Sequence, residues 1–413
     1  MAQRKTDTIP KLDQVNYLFE ALGLTAEQFT FDSIRKELIR MRPAYSESRN
    51  RISLNTFWSN ARDVLRELMR LGLVSRAALP SRSDQLDAHR ARKFTLTAEG
   101  EQFLALDVEE QSRLEFRYRF AQAMLIAHPY LRELHQLLRS REFFFPRIQT
   151  SELPGDADSW REKPPEPLRT VSVLVADSVR EVLKLNIPLY DLESSMNLYL
   201  NAAWKRLDQE QKSQKSHLFA KAVVKAVNDV IVRVLLQTYG MRMDYVTFRS
   251  AVSLLSDLNV IWHTRSLAGR RGWTVWATSF APVPSLTPTA TPAAEALRGP
   301  VWFKPNSETD NVIKDQLIES FFSLHDRRGG FALIHVLRAE VCHRLSIHGS
   351  DFDRVLRKLH AQTLVDSRYA VNLDRGGGDE LPPSEEPFRI GDRQFYLITL
   401  LKRNREEQKY GPS

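Results

Sequence analysis

Two neighbouring stretches decide the fold: LRELMRLGLVSR at residues 65–76 and RKFTLTAEGEQFL at residues 92–104. The first ends a run, residues 50–74, whose apolar side chains recur at helical spacing, and Gly72 is suited to end that helix. KFTLT alternates as a strand does, and AEGEQFLAL predicts a short closing helix. Upstream, residues 11–24 and 30–41 predict two further helices. The order is three helices, a short strand, a polar loop, a return strand and a helix.

This order resembles the winged helix-turn-helix superfamily, whose third helix commonly ends in a phrase like LGLV and whose second wing strand runs into LTAEG. The resemblance covers residues 10–106, about a quarter of the chain, and carries no mark of a particular family. It implies that the third helix enters the major groove of DNA and that the loop between the strands forms a wing.

Residues 307–403 repeat the order and resemble a second winged helix. Helices are predicted over 311–326, 331–346 and 350–365, and strands over 367–374 and 393–403. Ser350 is expected to cap the third helix. The loop between the two strands is long, acidic and rich in glycine and proline.

The middle of the chain is harder to interpret. Residues 201–239 fit either one long helix or two, residues 244–259 predict a helix, and residues 259–280 predict a strand, a basic turn and a strand. A helix that leads into a hairpin is the second half of a winged helix, so 201–281 is interpreted as a third such domain. Residues 107–200 are a connector, helical to about 146 and then a proline-rich acidic loop. Residues 282–306 are a Pro/Thr-rich linker expected to be extended.

The predicted fold is therefore mainly α with small β-hairpins, an α+β chain of tandem winged-helix domains joined by helical segments. The 413 residues are 42% hydrophobic and 27% charged, which is typical of several globular domains. A single cysteine excludes a disulfide within the chain and any cysteine-based zinc site. The polar start and the lack of an apolar run of about 18 residues predict a cytoplasmic protein with no membrane partner.

Catalytic motifs are missing from the sequence. It contains no phosphate-binding Gly-x-x-x-x-Gly-Lys-Ser/Thr loop, no Gly-x-Ser-x-Gly elbow and no His-Glu-x-x-His. Cys342 and His343 lie within a predicted helix, where a cysteine is usually part of the core. We therefore expect no enzyme activity, catalytic residue, metal or cofactor, although carboxylates scattered in sequence leave a nuclease open as an alternative.

Positive charge is concentrated in one part of the chain. The net charge is +8, and residues 201–281 alone carry 12 basic and 5 acidic residues. The N-terminal and C-terminal segments are nearly balanced. A local excess of basic residues favours an anionic partner. Together with the winged-helix resemblance, it predicts that this partner is double-stranded DNA.

The candidate DNA-binding residues come from two domains. In the first domain they lie on or before the third helix and in the wing: Arg49, Arg51, Asn55, Ser59, Arg62, Arg66, Arg90, Arg92 and Lys93. In the middle domain they lie on a helix and around the hairpin turn: Lys221, Lys225, Arg265, Arg270 and Arg271. The alternative for the first set is a solvated helix face, with arginines paired to Asp63 and Glu67.

The C-terminal domain favours a protein partner, because Asp351 and Asp353 crowd the start of its third helix and would repel phosphates. The function predicted first is a non-catalytic DNA-binding protein, in a bacterial regulatory, mobile-element or phage-defence complex. The alternative is a protein-protein adaptor, because the order of domains resembles the bridging subunits of SMC-like chromosome-organising ATPase complexes. A protein partner or a homo-oligomer fits both.

Overall fold

The computed structural model describes residues 21–23, 29–30, 33, 36, 54–76, 93–106, 110–166, 168–205, 212, 214–279, 291–298, 307–325, 330–361, 369–376 and 385–402. These residues divide into two compact units. Unit 1 draws on Met1–Leu137, Val246–Ile261 and Phe280–Pro305. Unit 2 draws on Leu138–Tyr245, Trp262–Ser279 and Asn306–Ser413.

The first half of the chain contains these elements, in order: β1 (Phe29–Thr30), α1 (Leu54–Leu71), β2 (Val74–Arg76), β3 (Lys93–Leu96), α2 (Ala98–Ala105), α3 (Glu110–Ala127), α4 (Pro129–Ser140), β4 (Phe143–Pro146), α5 (Arg169–Leu183) and α6 (Leu189–Trp204). Two short 3₁₀ helices, Thr150–Glu152 and Ser159–Arg161, lie between β4 and α5.

The second half continues with α7 (Ser216–Thr238), α8 (Tyr245–Asp257), β5 (Ile261–Thr264), β6 (Gly272–Ala277), α9 (Pro292–Arg298), α10 (Ser307–His325), β7 (Ala332–Leu333), α11 (Ile334–Leu345), α12 (Gly349–Ala361), β8 (Tyr369–Asp374), β9 (Phe388–Ile390), β10 (Arg393–Phe395) and β11 (Leu397–Lys402). The stretch 201–239, which fits one helix or two, thus contains the end of α6 and a separate α7.

In unit 1, helix α1 leads into strands β2 and β3. Val64, Leu65 and Leu68 are buried along one stripe of α1. The helix ends where Gly72 adopts a φ of +82° and the N–H of Leu73 donates to the carbonyl of Leu68 at 3.0 Å. The predicted helix end and the predicted strand at KFTLT are confirmed. The predicted helices over 11–24 and 30–41 lie almost entirely outside the described residues.

The prediction of an extended linker over 282–306 was wrong in one respect. This stretch contains helix α9, which packs against α3 in unit 1. Ala293 and Ala296 are fully buried there. Arg119 of α3 donates to the carbonyl oxygens of Ala296 and Leu297 at 2.9 and 2.6 Å. Carbonyls at a helix end need such donors. A distant arginine therefore stabilises a short helix that its own composition does not predict.

Strand β4 of unit 2 was also missed, since residues 107–146 are predicted to be helical throughout. Phe143, Phe144 and Phe145 are all buried, so the strand shows no alternation between polar and apolar residues. It pairs antiparallel with β6, with Phe143 opposite Val275. The hydroxyl of Tyr239, at the end of α7, donates to the carbonyl of Phe144.

The C-terminal part of unit 2 packs α10, α11 and α12 around the strands β7, β11 and β8. Phe321, Leu337 and Phe352 are buried in one core, together with Leu267 and Trp276 from the β5–β6 hairpin and its turn. The three predicted helices and the strand over 367–374 are confirmed in their described parts, but the strand predicted over 393–403 is divided into β10 and β11, and the start of the helix predicted over 331–346 is strand β7. The prediction that Ser350 caps the third helix was wrong, because that helix begins at Gly349. The backbone N–H of Ser350 donates instead to Nδ1 of His348 at 3.1 Å.

Three small antiparallel sheets share one arrangement. Their orders are β1-β3-β2, β4-β6-β5 and β7-β11-β8, so in each sheet the last strand lies between the first and the middle one. Strands β9 and β10 form a separate pair. The described chain is mostly helical with small antiparallel sheets, as predicted. Among the described helices, none is both long and apolar enough to cross a bilayer.

Candidate nucleic-acid interface

Two arginines of α1 project from unit 1 into solvent. The side chains of Arg62 and Arg66 are 63% and 61% exposed, and they lie four residues apart on the face opposite the buried stripe. Both approach one carboxylate: Asp63 lies 3.8 Å from Nε of Arg62 and 3.5 Å from a terminal nitrogen of Arg66. One carboxylate between two guanidiniums leaves a net positive charge. Exposed pairs of this kind contribute at most about 1 kcal/mol, so they yield readily to a phosphate.

Glu67, the other acid that could neutralise this face, is turned into the interior. Its carboxylate is buried and lies 2.5 Å from Nε2 of His128, which is also buried. A terminal nitrogen of Arg70 lies 3.4 Å from the other ring nitrogen of His128. The alternative of a neutral, solvated helix face is therefore supported for Asp63 but not for Glu67.

Only some of the remaining candidate DNA-binding residues of the first domain lie within the described residues. Asn55 and Ser59 lie in the first half of α1, and Lys93 is exposed at the start of β3. Four others lie outside the described residues: Arg49, Arg51, Arg90 and Arg92. The structure therefore brings Arg62 and Arg66 together on one helix face and leaves the loop between β2 and β3 undescribed.

Helix α7 of unit 2 carries a second exposed cationic pair. Lys221 and Lys225 are both exposed and four residues apart, whereas Phe219, Val223 and Val227 of the same helix are buried. Within the described part of the chain, neither lysine forms an ion pair. The predicted lysine face of this helix is therefore present.

The arginines around the turn between β5 and β6 have carboxylate neighbours in unit 2. Arg270 donates to Glu142 at 2.9 Å, and Arg271 is paired with Glu152. The backbone N–H of Arg265 donates to Glu385 at 3.0 Å. Arg265 and Arg271 are exposed, but Arg270 is only 21% exposed. The turn is therefore less positive than its sequence indicates.

Glu142 connects this turn to α11. One carboxylate oxygen accepts from Arg270 and the other accepts from Nε2 of His343 at 2.6 Å. Burial raises the pKa of Glu142, but the hydrogen bonds and charges of His343 and Arg270 outweigh it and hold this pKa below its usual value. The carboxylate is thus ionised at neutral pH, and it fixes the turn in place.

The tryptophans beside the turn pack against protein. Trp276 is buried in the core and meets the ring of His343 edge to face at 5.2 Å. Trp262 meets His348 in the same way at 4.5 Å, and Trp273 lies 5.5 Å from Phe145. Trp276 is therefore a core residue, whereas Trp262 is partly buried against that core and Trp273 is half-buried.

On α12, two of the cations are held by an acid from α10, whereas Arg357 is exposed and donates to the carbonyl of Arg389. Asp310 accepts from Arg354 at 2.6 Å and from Lys358 at 2.9 Å. Burial raises the pKa of Asp310, but the bonds from Lys358 and Arg354 outweigh it and keep this pKa low. Asp353 accepts from the buried Arg338 at 2.9 Å. The C-terminal helix thus presents few unneutralised cations to a phosphate.

A cavity of about 290 Å³ in unit 2 was not predicted from the sequence. Its wall combines apolar residues of β4 and α5 with the carboxylate Glu181 and three arginines, of which only Arg270 and Arg271 were candidates. The third is Arg147, which directly follows β4. The signal that could have found it is a cation placed at the end of the apolar run FFFP.

Searches against protein-family profiles, curated proteins and solved structures give no match to this chain. Among the described residues, no three histidine, cysteine or acidic side chains cluster closely enough to hold a metal ion. Cys342 is fully buried, and burial raises the pKa of its thiol well above the usual value.

Proposed function

We propose that this chain is a non-catalytic DNA-binding protein that holds double-stranded DNA against helix α1. The observation that carries the proposal is the exposed pair Arg62 and Arg66, one helical turn apart, with Asp63 as the one carboxylate near both guanidiniums among the described residues. Arginines in this arrangement can bond to phosphates or to guanine edges in the major groove.

The topology around α1 supports the same function. Helix α1 follows β1 and leads into the hairpin β2–β3, and the sheet order is β1-β3-β2. That order fits a winged helix in which α1 is the recognition helix. The sheets β4-β6-β5 and β7-β11-β8 repeat it, which supports the proposal of tandem winged-helix domains. In a winged helix the recognition helix lies in the major groove and the wing loop approaches the backbone.

Lys221 and Lys225 form a second surface that we propose contacts DNA. They lack carboxylate partners within the described residues and are spaced to follow a phosphate backbone. Lysine contacts to phosphates carry no sequence information, so this surface adds affinity for any duplex. The turn arginines contribute less, since Arg270 and Arg271 each hold a carboxylate.

The second candidate function is a protein-protein adaptor, and the contacts of Asp310 favour it for the C-terminal part. With Arg354 and Lys358 both bound to Asp310, α12 is nearly neutral and suits contact with protein better than with phosphate. An adaptor of an SMC-like ATPase complex, or of a bacterial regulatory or phage-defence complex, could use both functions. The two candidates differ in whether the isolated chain binds DNA.

Fluorescence anisotropy with labelled duplex and single-stranded oligonucleotides tests the proposal. Three variants remove two charges at the same spacing of four residues: R62Q/R66Q on α1, K221Q/K225Q on α7 and the control R180Q/K184Q at the end of α5. We expect micromolar or tighter duplex binding that R62Q/R66Q weakens by at least about tenfold. K221Q/K225Q should weaken all duplexes alike, and the control should change little.

Two results would count against the proposal. The first is the absence of duplex binding at low salt, which would leave protein docking as the function of these domains. The second is an equal loss in R62Q/R66Q and R180Q/K184Q, because a general effect of net charge would then explain the binding without a specific role for α1.

A further inference from the structure

A cavity of about 290 Å³ lies in unit 2 between β4, α5 and the turn before β6. Its apolar wall includes Phe144, Ile148, Leu174 and Val182. Its volume is at the lower end of the range for small-molecule sites, which combine apolar walls with a few convergent polar groups. The cavity therefore has the size and wall of a site for a small organic ligand.

The polar side of this cavity is an arginine cluster made by strand pairing. Pro146 of β4 lies opposite Gly272 of β6, and the N–H of Arg147 donates to the carbonyl of Arg271 at 3.0 Å. Residues that lie opposite each other on antiparallel strands project to the same face, roughly 5 Å apart at Cβ. Arg147 and Arg271 continue this pairing one residue beyond the two strands and both line the cavity, and like charges placed opposite each other are destabilising.

The carboxylates nearby compensate this cluster only in part. Glu152 pairs with Arg271 and Glu142 pairs with Arg270, and a third carboxylate, Glu181 of α5, also lines the cavity. Arg147 is exposed and forms no ion pair with the described part of the chain. Each guanidinium has five N–H donors, so Arg270 and Arg271 retain most of theirs after one bond to a carboxylate. Donors of this number and geometry match the oxygens of a phosphate.

We propose that this cavity binds a nucleoside monophosphate, with the phosphate on Arg147 and Arg271 and the organic body against the apolar wall. An anion between the two arginines would relieve their repulsion. Two sources share this chemistry: a free mononucleotide and the 5′-phosphorylated end of a DNA strand. The inference does not depend on DNA binding by α1, since every residue that carries it lies in unit 2.

Calorimetric titration of the full chain with deoxyadenosine 5′-monophosphate tests the site. We expect one saturable site, with deoxyadenosine and inorganic phosphate each binding at least about tenfold more weakly. R147Q should weaken the binding of the nucleotide by about tenfold or more. S178F, which fills the cavity from α5, should do the same without removing a charge. The control R180Q removes an exposed charge of α5 outside the cavity wall and should stay within about twofold.

Competition identifies the source of the phosphate. Displacement of the nucleotide by a 5′-phosphorylated oligonucleotide, and not by its 5′-hydroxyl counterpart, supports a strand end; displacement by neither supports a free mononucleotide. The inference is overturned if no saturable binding occurs, if deoxyadenosine binds as tightly as its phosphate, or if R147Q and R180Q weaken binding equally. R62Q/R66Q should retain nucleotide binding, so failure of this site and failure of DNA binding by α1 are distinguishable.

Discussion

Glu142 accepts a hydrogen bond from Arg270 at 2.9 Å across 128 residues of sequence. The same carboxylate accepts from His343, so it joins the end of α4, the turn before β6 and helix α11 within unit 2. Hydrogen bonds to charged groups are worth about 1.5–3 kcal/mol each, and partial exposure reduces that value here.

The first prediction is that E142Q destabilises unit 2 by about 1–2 kcal/mol at pH 7. The pKa of Glu142 is lower in the folded chain than in the unfolded chain, so its contribution is full above the unfolded value of about 4.5. That contribution disappears as the pH falls through the folded pKa. Urea unfolding of the wild type and of E142Q should therefore differ at pH 7 and converge in acid. A difference that persists at low pH would contradict this account of Glu142.

The second prediction concerns His263, which lies between Trp262 and Trp273. Burial, and then the charge of Arg265, lower its pKa from 6.5 to about 4, so the ring is neutral at pH 7. The unfolded chain binds this proton first, and stability should fall as the pH drops from 6.5 towards 4. H263F keeps a ring there and removes the proton. Its urea midpoint should fall less than that of the wild type over this interval; parallel curves would exclude the role of His263.

The third prediction concerns Asp310, which holds Arg354 and Lys358 of α12. D310N should release both cations, raise affinity for duplex DNA by about two- to fivefold at low salt, and cost about 1 kcal/mol of stability. The matched control D177N removes an exposed acid that pairs with Arg180. Anisotropy titration of the two variants checks this. If D310N binds duplex no better than D177N, release of the two cations has no effect on DNA affinity.

Local sequence patterns were enough to predict α1 and its end. Val64, Leu65 and Leu68 form a stripe at helical spacing, and Gly72 supplies the left-handed residue that follows the last turn. The same reasoning predicts α12 and β11. Each depends on residues a few positions apart, so no knowledge of distant contacts is needed.

The features that were missed depend on residues far apart in sequence. Strand β4 exists because β6, nearly 130 residues later, pairs with it, and its three phenylalanines show no alternation. Glu142 pairs with Arg270 across 128 residues and so neutralises part of a turn that is basic in sequence. Its other partner, His343, is 201 residues away. Arg119 stabilises α9 from 177 residues away. Composition predicts the charge of such residues but not their partners.

The most direct test of DNA binding by α1 is the dependence of duplex affinity on salt concentration. Each phosphate contact contributes about −0.9 to the slope of log affinity against log salt. We predict that R62Q/R66Q reduces the magnitude of this slope by about 2 relative to the wild type, and that R180Q/K184Q leaves it unchanged. An unchanged slope in R62Q/R66Q would contradict the claim that these two arginines contact phosphates.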